Sequence, residues 1–110
     1  MKYFCRNEER VDTAYYEFQK GDWTREQKHW KENSIVIEDM DYDRFVFDAV
    51  APVLENYDHY GVNIVLPKQW EEIKERAVEI GGHVKEAIEE ADVWVKKVFP
   101  EYGCFTILGV

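Results

Sequence analysis

The chain has 110 residues and a formal net charge of -9, with 45% hydrophobic and 15% aromatic residues. This composition is typical of one compact globular domain over residues 1–110, and it excludes disordered, collagen-like and low-complexity chains. The negative charge argues against direct binding to nucleic acid or to an anionic membrane, which both require a basic surface. No apolar run reaches the roughly 18 residues that a membrane span needs.

The first third of the sequence carries strand patterns. Residues 2–5 match a short strand, and residues 34–38 form a β-branched run of strand length. Residues 13–19 alternate between two faces, which predicts a strand with one buried and one solvent-exposed face. Between residues 13–19 and residues 34–38, Thr24 and Gln27 have the spacing of a capping box, which predicts a short helix.

The middle of the chain carries a helical pattern that a proline interrupts. Apolar residues recur at helical spacing over 42–57, and Asp41 is suited to be the N-cap. Pro52 cannot donate a backbone hydrogen bond, so we expect the helix to kink or break just before it. A turn over 57–61 and an apolar stretch over 62–66 follow.

The last third predicts two helices and a final strand. Apolar residues recur at helical spacing from Pro67 onward, and Gly81-Gly82 divides them into two helices. Pro67 suits the first turn of the first helix, Pro100 is expected to stop the second, and residues 104–108 match a strand. The fold class is therefore α+β, with a small, mainly antiparallel sheet covered on one face by about three to four helices.

The cysteines and the first residues indicate a reducing compartment. Residues 1–10 lack the apolar stretch and the cleavage site of a secretory signal, so we expect a cytoplasmic protein. Cys5 and Cys104 lie near opposite ends of the chain without Cys-x-x-Cys spacing. We therefore expect two free thiols rather than a disulfide.

The histidines do not form a recognisable catalytic or metal motif. His29, His59 and His83 are scattered, and none has a His or Cys neighbour at metal-ligand spacing. We therefore expect no metal and no other cofactor. Folding can still bring a histidine to an acid–base partner, so a small enzyme using His59 or His83 remains an alternative. Gly81-Gly82 lacks the residues of a phosphate-binding loop and is interpreted as a helix break.

The acidic charge is concentrated in the middle of the chain. Residues 38–66 carry seven acidic side chains and one basic one, a balance of -6 out of the total of -9. At the start of this segment, acidic residues alternate with other residues as in an EF-hand calcium loop. Such a loop needs glycine at its sixth position and glutamate at its twelfth, but these positions are Arg44 and Val50 here. One of these acids can cap the helix, and others can lie on a solvated surface. Neither role explains why acidic residues continue along the whole segment. The seven acids are Glu38, Asp39, Asp41, Asp43, Asp48, Glu55 and Asp58.

Aromatic residues lie among these acids. Phe47 falls outside the apolar stripe of its helix and precedes Asp48, while Tyr57 and Tyr60 flank Asp58 in the predicted turn. Aromatic anchors ringed by carboxylates are typical of a protein-binding surface for a basic partner. Alternatively, Phe47 packs in a further layer and both tyrosines belong to the core or its boundary.

A resemblance points in the same direction. Its four motifs are Asn-Ser-Ile-Val-Ile-Glu-Asp at 33–39, Phe-Val-Phe-Asp at 45–48, Tyr-Asp-His-Tyr-Gly-Val-Asn at 57–63 and Pro-Lys-Gln-Trp-Glu-Glu-Ile at 67–73. This stretch, about a third of the chain, resembles small immunity proteins of bacterial contact-dependent inhibition and polymorphic toxin systems. The resemblance implies a cytoplasmic protein that neutralises the toxic C-terminal domain of a cognate effector, often a nuclease. It carries over no contact residue by position.

We therefore expect a non-catalytic acidic binding protein, an immunity protein that occludes a basic toxin domain and binds neither nucleic acid nor membrane. A self-associating adaptor that uses Trp23, Trp30 or Phe47 is a further alternative. The predicted partner contacts are Asp39, Asp41, Asp43, Phe47, Asp48, Tyr57, Asp58 and Tyr60.

Overall fold

A computed structural model describes residues 1–25 and 27–109 of the protein, and in these residues five strands and four α-helices are found. The strands are β1 (Cys5–Arg6), β2 (Tyr15–Lys20), β3 (Ile35–Glu38), β4 (Val62–Val65) and β5 (Phe105–Leu108). The helices are α1 (Asp39–Phe45), α2 (Phe47–Val50), α3 (Pro67–Ile80) and α4 (Gly82–Tyr102). The strands form one antiparallel sheet in the order β1-β3-β2-β5-β4, which confirms the predicted α+β class.

The core lies between one face of the sheet and the helices. Because side chains alternate along a strand, Phe18 of β2 and Phe105 of β5 point to the same face. Their ring centroids are 5.3 Å apart, and Trp70 of α3 lies edge-on to Phe105 at 5.4 Å. All three side chains are almost completely buried, so this face supplies the aromatic centre of the core.

The opposite face of β2 is also buried, so the prediction of a half-exposed strand is wrong. Glu17 is 1% exposed and Gln19 is 0% exposed. The carboxylate of Glu17 accepts hydrogen bonds from the backbone N–H groups of Trp30 (2.8 Å) and Lys31 (2.9 Å). Gln19 Nε2 donates to the carbonyl of Lys28 at 2.7 Å. Residues 28–31 thus cover polar side chains that the alternation alone would leave in solvent.

The predicted capping box before β3 is also wrong. Among the described residues of this segment, the structure has a one-turn 3-10 helix, Trp23–Arg25. Asp22 Oδ1 accepts hydrogen bonds from the backbone N–H of Thr24 (2.9 Å) and from its hydroxyl (2.6 Å). The aspartate therefore caps this turn, and the threonine is a donor within it.

The first strand begins later than predicted because the residues before it are hydrogen-bonded to helix α4. The backbone N–H groups of Lys2, Tyr3 and Phe4 all donate to the carboxylate of Glu90 on α4, at 2.7 to 2.9 Å. These donors are therefore not available to a sheet, and pairing with β3 begins at Cys5.

The middle helix breaks where the proline predicts it. Helix α1 begins at Asp39, after Glu38 and two residues before the predicted cap at Asp41. Helix α2 ends at Val50, which confirms a break just before Pro52. A second interruption at Val46, which the sequence did not predict, separates α1 from α2.

The last two helices confirm the glycine break, while the prediction for Pro100 is wrong. Gly81 has φ 75°, a left-handed value that separates α3 from α4. Helix α4 continues past Pro100 to Tyr102, and its end is fixed by Gly103 at φ 76°. The N–H of Gly103 donates to the carbonyl of Phe99 at 2.9 Å, so the last turn closes around the proline.

Candidate functional site

An open depression of about 540 Å³ lies within the acidic middle segment, and we call it the His59 depression. Its lining residues are Asp43, Phe47, Tyr57 and His59. Asp43 comes from α1, Phe47 from α2, and the other two from the connection between α2 and β4. Three consecutive parts of the chain therefore meet here.

The turn that carries His59 is fixed by a buried asparagine of β4. Asn63 is 6% exposed, its Oδ1 accepts from the N–H of Asp58 at 2.9 Å, and its Nδ2 donates to the carbonyl of Asp58 at 2.6 Å. Tyr16 of β2 donates its hydroxyl to the carbonyl of His59 at 3.0 Å. These bonds tie the turn to two strands and hold the imidazole at the depression.

His59 is the centre of a hydrogen-bond network. Its Nε2 is 3.1 Å from Asp43 Oδ1 and 3.0 Å from Tyr16 Oη. Its Nδ1 is 3.2 Å from Tyr57 Oη, which is in turn 2.6 Å from the hydroxyl of Tyr42. A carboxylate, an imidazole and three phenols are thus joined in one cluster.

The hydroxyl of Tyr42 ends this network in the core. Tyr42 is 0% exposed, and within the described part of the chain Tyr57 Oη is the one partner of its hydroxyl, so Tyr42 donates to Tyr57. Tyr57 Oη is also the partner of Nδ1 of His59, while Nε2 faces Asp43 and Tyr16. Both ring nitrogens of His59 therefore have hydrogen-bond partners within the protein.

Burial raises the pKa of all three tyrosines. Loss of hydration is the main cause, and it raises the pKa of Tyr57 to about 12. The pKa values of Tyr16 and Tyr42 are also raised, mainly by burial, and the negative charge of Asp43 adds to the effect at each phenol. All three phenols therefore stay neutral, and remain hydrogen-bond donors, at physiological pH.

The aromatic rings of the depression stand nearly perpendicular to one another. The ring centroids of Phe47 and His59 are 4.9 Å apart with an interplanar angle of 84°, and Tyr57 lies edge-on to Phe47 at 5.8 Å. Tyr60 also lies against His59, with a centroid distance of 4.9 Å and an angle of 73°. The result is a set of aromatic walls beside the carboxylate of Asp43.

Four of the eight predicted contact residues contact His59, and two more lie near its tyrosine partners. Asp39 and Asp43 lie one helical turn apart on α1, and both raise the pKa of Tyr16. Asp58 lies close enough to Tyr57 to raise its pKa, and Tyr60 is 75% exposed. The six residues are Asp39, Asp43, Phe47, Tyr57, Asp58 and Tyr60, which we call the acidic-aromatic face.

The other two predicted residues lie elsewhere. Asp41 lines a separate concavity with Glu38 and the N-terminal residues 1–5. Asp48 is exposed on α2, and its backbone carbonyl accepts a hydrogen bond from Arg76 Nη2 at 2.9 Å. The structure thus separates both acids from the His59 depression, and all eight residues remain predictions as partner contacts.

Sequence reasoning missed two members of the cluster. Tyr16 lies in the alternating pattern of residues 13–19 and Tyr42 at the start of the apolar stripe over 42–57, and these patterns by themselves indicate core positions. Their rings are core, but their hydroxyls belong to the network around His59. The signal was the choice of tyrosine over phenylalanine, because a buried phenol requires a polar partner.

Both ring nitrogens of His59 have partners within the protein. Nδ1 lies 3.2 Å from Tyr57 Oη, and Nε2 lies 3.1 Å from Asp43 Oδ1. The exposed His83 has its Nδ1 2.7 Å from the hydroxyl of Tyr3, beside Glu86. Within residues 1–25 and 27–109, no three His, Cys, Asp or Glu side chains are grouped so as to hold a metal ion.

The tryptophans of the adaptor alternative lie in the segment between β2 and β3. The guanidinium of Arg10 stands 4.0 Å from the ring centroid of Trp30, and Trp23 lies edge-on to His29 at 5.6 Å. Both tryptophans are half-buried. None of the helices in the described residues is long and apolar enough to cross a membrane.

No protein-family model, no curated protein and no solved structure matches this chain. The resemblance of residues 33–70 to immunity proteins therefore depends on its four motifs alone, and the function has to be argued from the residues themselves.

Proposed function

We propose that this protein is a non-catalytic immunity protein of the bacterial cytoplasm that binds a basic toxin domain, such as a nuclease, and occludes it. The observation that carries the proposal is the acidic-aromatic face. There, Asp43 lines an open depression with aromatic walls, and Asp39 and Asp58 lie close enough to raise the pKa of Tyr16 and Tyr57, in a segment whose net charge is -6.

The two components of the face have separate roles in binding. The carboxylates attract and orient a cationic partner, since complementary charge raises association rates and selects against wrong partners. The rings supply apolar area that the partner can bury, and Tyr60 at 75% exposure offers most of its surface. Neither role requires a reaction.

Occlusion also fits the chemistry of the depression. Its phenol, Tyr57, is neutral at physiological pH, since burial raises its pKa further above the ordinary value, and both nitrogens of His59 have partners within the protein. A toxin that binds an anionic substrate such as nucleic acid needs a basic groove. An acidic surface set into that groove would compete with the substrate directly.

The experiment uses the tagged full chain as bait in extracts of its native host, with partners identified by mass spectrometry after low-salt and high-salt washes. We expect one stoichiometric basic protein, weakened but not removed by salt. The partner's toxicity should then be suppressed when this chain is co-expressed.

The interface is tested with a triple variant, Asp39→Lys, Asp43→Lys and Asp58→Lys. Its matched control is Glu72→Lys, Glu75→Lys and Glu79→Lys, which reverses three exposed acids of α3. Each triple variant moves the net charge from -9 to -3, because every reversal adds two charges. We expect the first to lose binding and protection and the control to retain both. Equal affinity of two folded variants would contradict the assignment.

Two further readouts address the alternatives. A self-associating adaptor would show a mass that rises with concentration in sedimentation and would return only itself from the pull-down. A small enzyme would show turnover that His59→Ala or His83→Ala abolishes. A basic partner bound by a parent chain that shows no turnover would favour the immunity function.

A further inference from the structure

We propose that the His59 depression is a receptor for one arginine side chain of the basic protein partner. The inference rests on the proposed function, since it names the chemistry that the acidic-aromatic face recognises. The observation behind it is the set of perpendicular rings next to one accessible carboxylate.

The rings form walls suited to a flat cation. A guanidinium over an aromatic face is attracted by the negative charge of the ring face, with centroid distances up to about 6 Å. Phe47 and His59 stand at 84° to each other, and Tyr60 stands at 73° to His59. A planar group that enters the depression therefore stacks on one ring while it meets the edge of the next.

Asp43 supplies the charge that fixes the guanidinium in place. Its side chain is 58% exposed, and its Oδ1 accepts from His59 Nε2 at 3.1 Å. In the described part of the chain, its Oδ2 has no hydrogen-bond partner. A carboxylate offers about four lone-pair positions on its two oxygens, so both oxygens of Asp43 can still accept from a bidentate guanidinium.

The imidazole leaves part of the carboxylate free for such a guest. His59 Nε2 lies 3.1 Å from Oδ1 of Asp43, while Oδ2 has no partner in the described part of the chain. The other ring nitrogen, Nδ1, lies 3.2 Å from Tyr57 Oη and is thus paired within the protein.

Arginine fits this arrangement better than the other cationic groups. Its guanidinium is planar, weakly hydrated, and able to stack on a ring and donate twice to one carboxylate at the same time. A lysine ammonium is more strongly hydrated and has no plane to stack. A quaternary ammonium fits an aromatic wall but cannot donate a hydrogen bond to Asp43.

The test titrates the isotopically labelled full chain with the peptide acetyl-Gly-Arg-Gly-amide, while the side-chain NMR signals of His59 and Tyr57 are followed. The same peptide with citrulline keeps the shape and removes the charge, and the version with lysine keeps the charge and removes the plane. We expect saturable shifts with arginine, about tenfold weaker binding with citrulline and about threefold weaker binding with lysine.

Variants locate the site. Asp43→Asn should weaken binding of the arginine peptide about tenfold, because it removes the charge of the bidentate acceptor. Asp41→Asn makes the same change two residues away, outside the depression, and should weaken binding less than about twofold. Tyr60→Leu, at an exposed position that leaves the fold intact, should weaken binding about threefold, and Tyr102→Leu is its control.

The outcomes separate this inference from the proposed function. Absence of saturable shifts, equal binding of citrulline, or equal loss in the Asp43 and Asp41 variants would overturn the arginine site, even if a basic toxin partner is found. Specific binding of the arginine peptide without any toxin partner would support the site and contradict the immunity function.

Discussion

The rings of Tyr16 and Tyr42 lie parallel, with their centroids 3.8 Å apart and an interplanar angle of 4°. Tyr16 belongs to β2 and Tyr42 to α1, so this stack joins the sheet to the first helix. Both phenols also reach the network around His59, one directly and one through Tyr57. The same pair of side chains therefore supports the core and orients the candidate site.

We expect the stability of the protein to fall between about pH 10 and pH 12. The pKa of Tyr57 is raised from 10.0 to about 12 by burial, so the unfolded chain releases this proton before the folded chain does. The contribution is complete below pH 10 and is lost as the pH rises toward 12. Urea denaturation as a function of pH measures it.

The control for this prediction is Tyr57→Phe, which removes the titrating hydroxyl and keeps the ring. Its stability at neutral pH should be lower, because Tyr42 and His59 each lose a hydrogen-bond partner. Its decline above pH 10 should be shallower than in the parent protein. Parallel curves for the two proteins would show that Tyr57 does not contribute to the alkaline loss.

A second prediction concerns the buried Glu17. Glu17 pairs with Val36 and Leu108 in the sheet register, and its carboxylate accepts from the N–H groups of Trp30 and Lys31. Glu17→Ala leaves both donors without this acceptor, so we expect a loss of about 2–3 kcal/mol in the free energy of unfolding. Trypsin should also cleave faster after Lys28, because the segment over the sheet opens more often.

Glu17→Gln retains one acceptor oxygen and should lose less stability than the alanine variant. Glu32→Ala, an exposed acid of the same segment, is the matched control for the cleavage assay. If all three variants are cut at the parent rate, Glu17 does not hold the segment in place.

A third prediction concerns the contact between α3 and α4. Asp92 Oδ1 accepts from the indole N–H of Trp70 at 2.7 Å, and Lys96 lies 3.3 Å from Oδ2. Asp92→Ala leaves a buried indole N–H unpaired, so the free energy of unfolding should fall by about 2–3 kcal/mol. Urea denaturation of this variant and of Glu89→Ala, an exposed acid of the same helix, measures the difference.

The pairing itself is tested by a double-mutant cycle with Trp70→Phe. Once the indole N–H is absent, Asp92→Ala should cost less than in the parent protein. Additive losses in the double variant would mean that the two side chains stabilise the helices independently.

The sequence predicts the elements whose signals are local. The β-branched run of β3, the break before Pro52 and the division at Gly81 follow from residues within a few positions of each element. The burial of Glu17 could not be predicted, because its partners are backbone groups 13 and 14 residues away. A polar residue at an alternating position is ordinarily evidence for a solvated face.

In the candidate site, too, the local features could be predicted from the sequence and the long-range contacts could not. The concentration of acids and the aromatic residues from Phe47 to Tyr60 were visible in the sequence because they are consecutive in it. The central position of His59 was not visible, since it depends on Tyr16, which is 43 residues away. The network forms only when β2, α1 and the turn before β4 come together, which is a property of the tertiary fold.

The N-terminal segment gives the last prediction, which concerns Glu90. This carboxylate accepts from three consecutive backbone N–H groups, and it thereby holds Phe4, which is 2% exposed, against Phe18 at a centroid distance of 5.2 Å. Glu90→Gln replaces one acceptor oxygen with a donor that faces these groups, so the free energy of unfolding should fall by about 1–2 kcal/mol. Amide exchange at residues 2–4 should become at least about tenfold faster, because local opening no longer breaks charge-assisted bonds.

The matched control is Glu86→Gln, which removes the exposed ion pair with Lys2 at 3.5 Å and leaves the backbone bonds in place. Exposed pairs of this kind contribute little, so its exchange rates should stay within about twofold of the parent values. Equal acceleration in both variants would mean that general negative charge on α4, rather than the three hydrogen bonds to Glu90, holds the segment. Acceleration confined to Glu90→Gln would instead explain why pairing in this sheet starts only at Cys5.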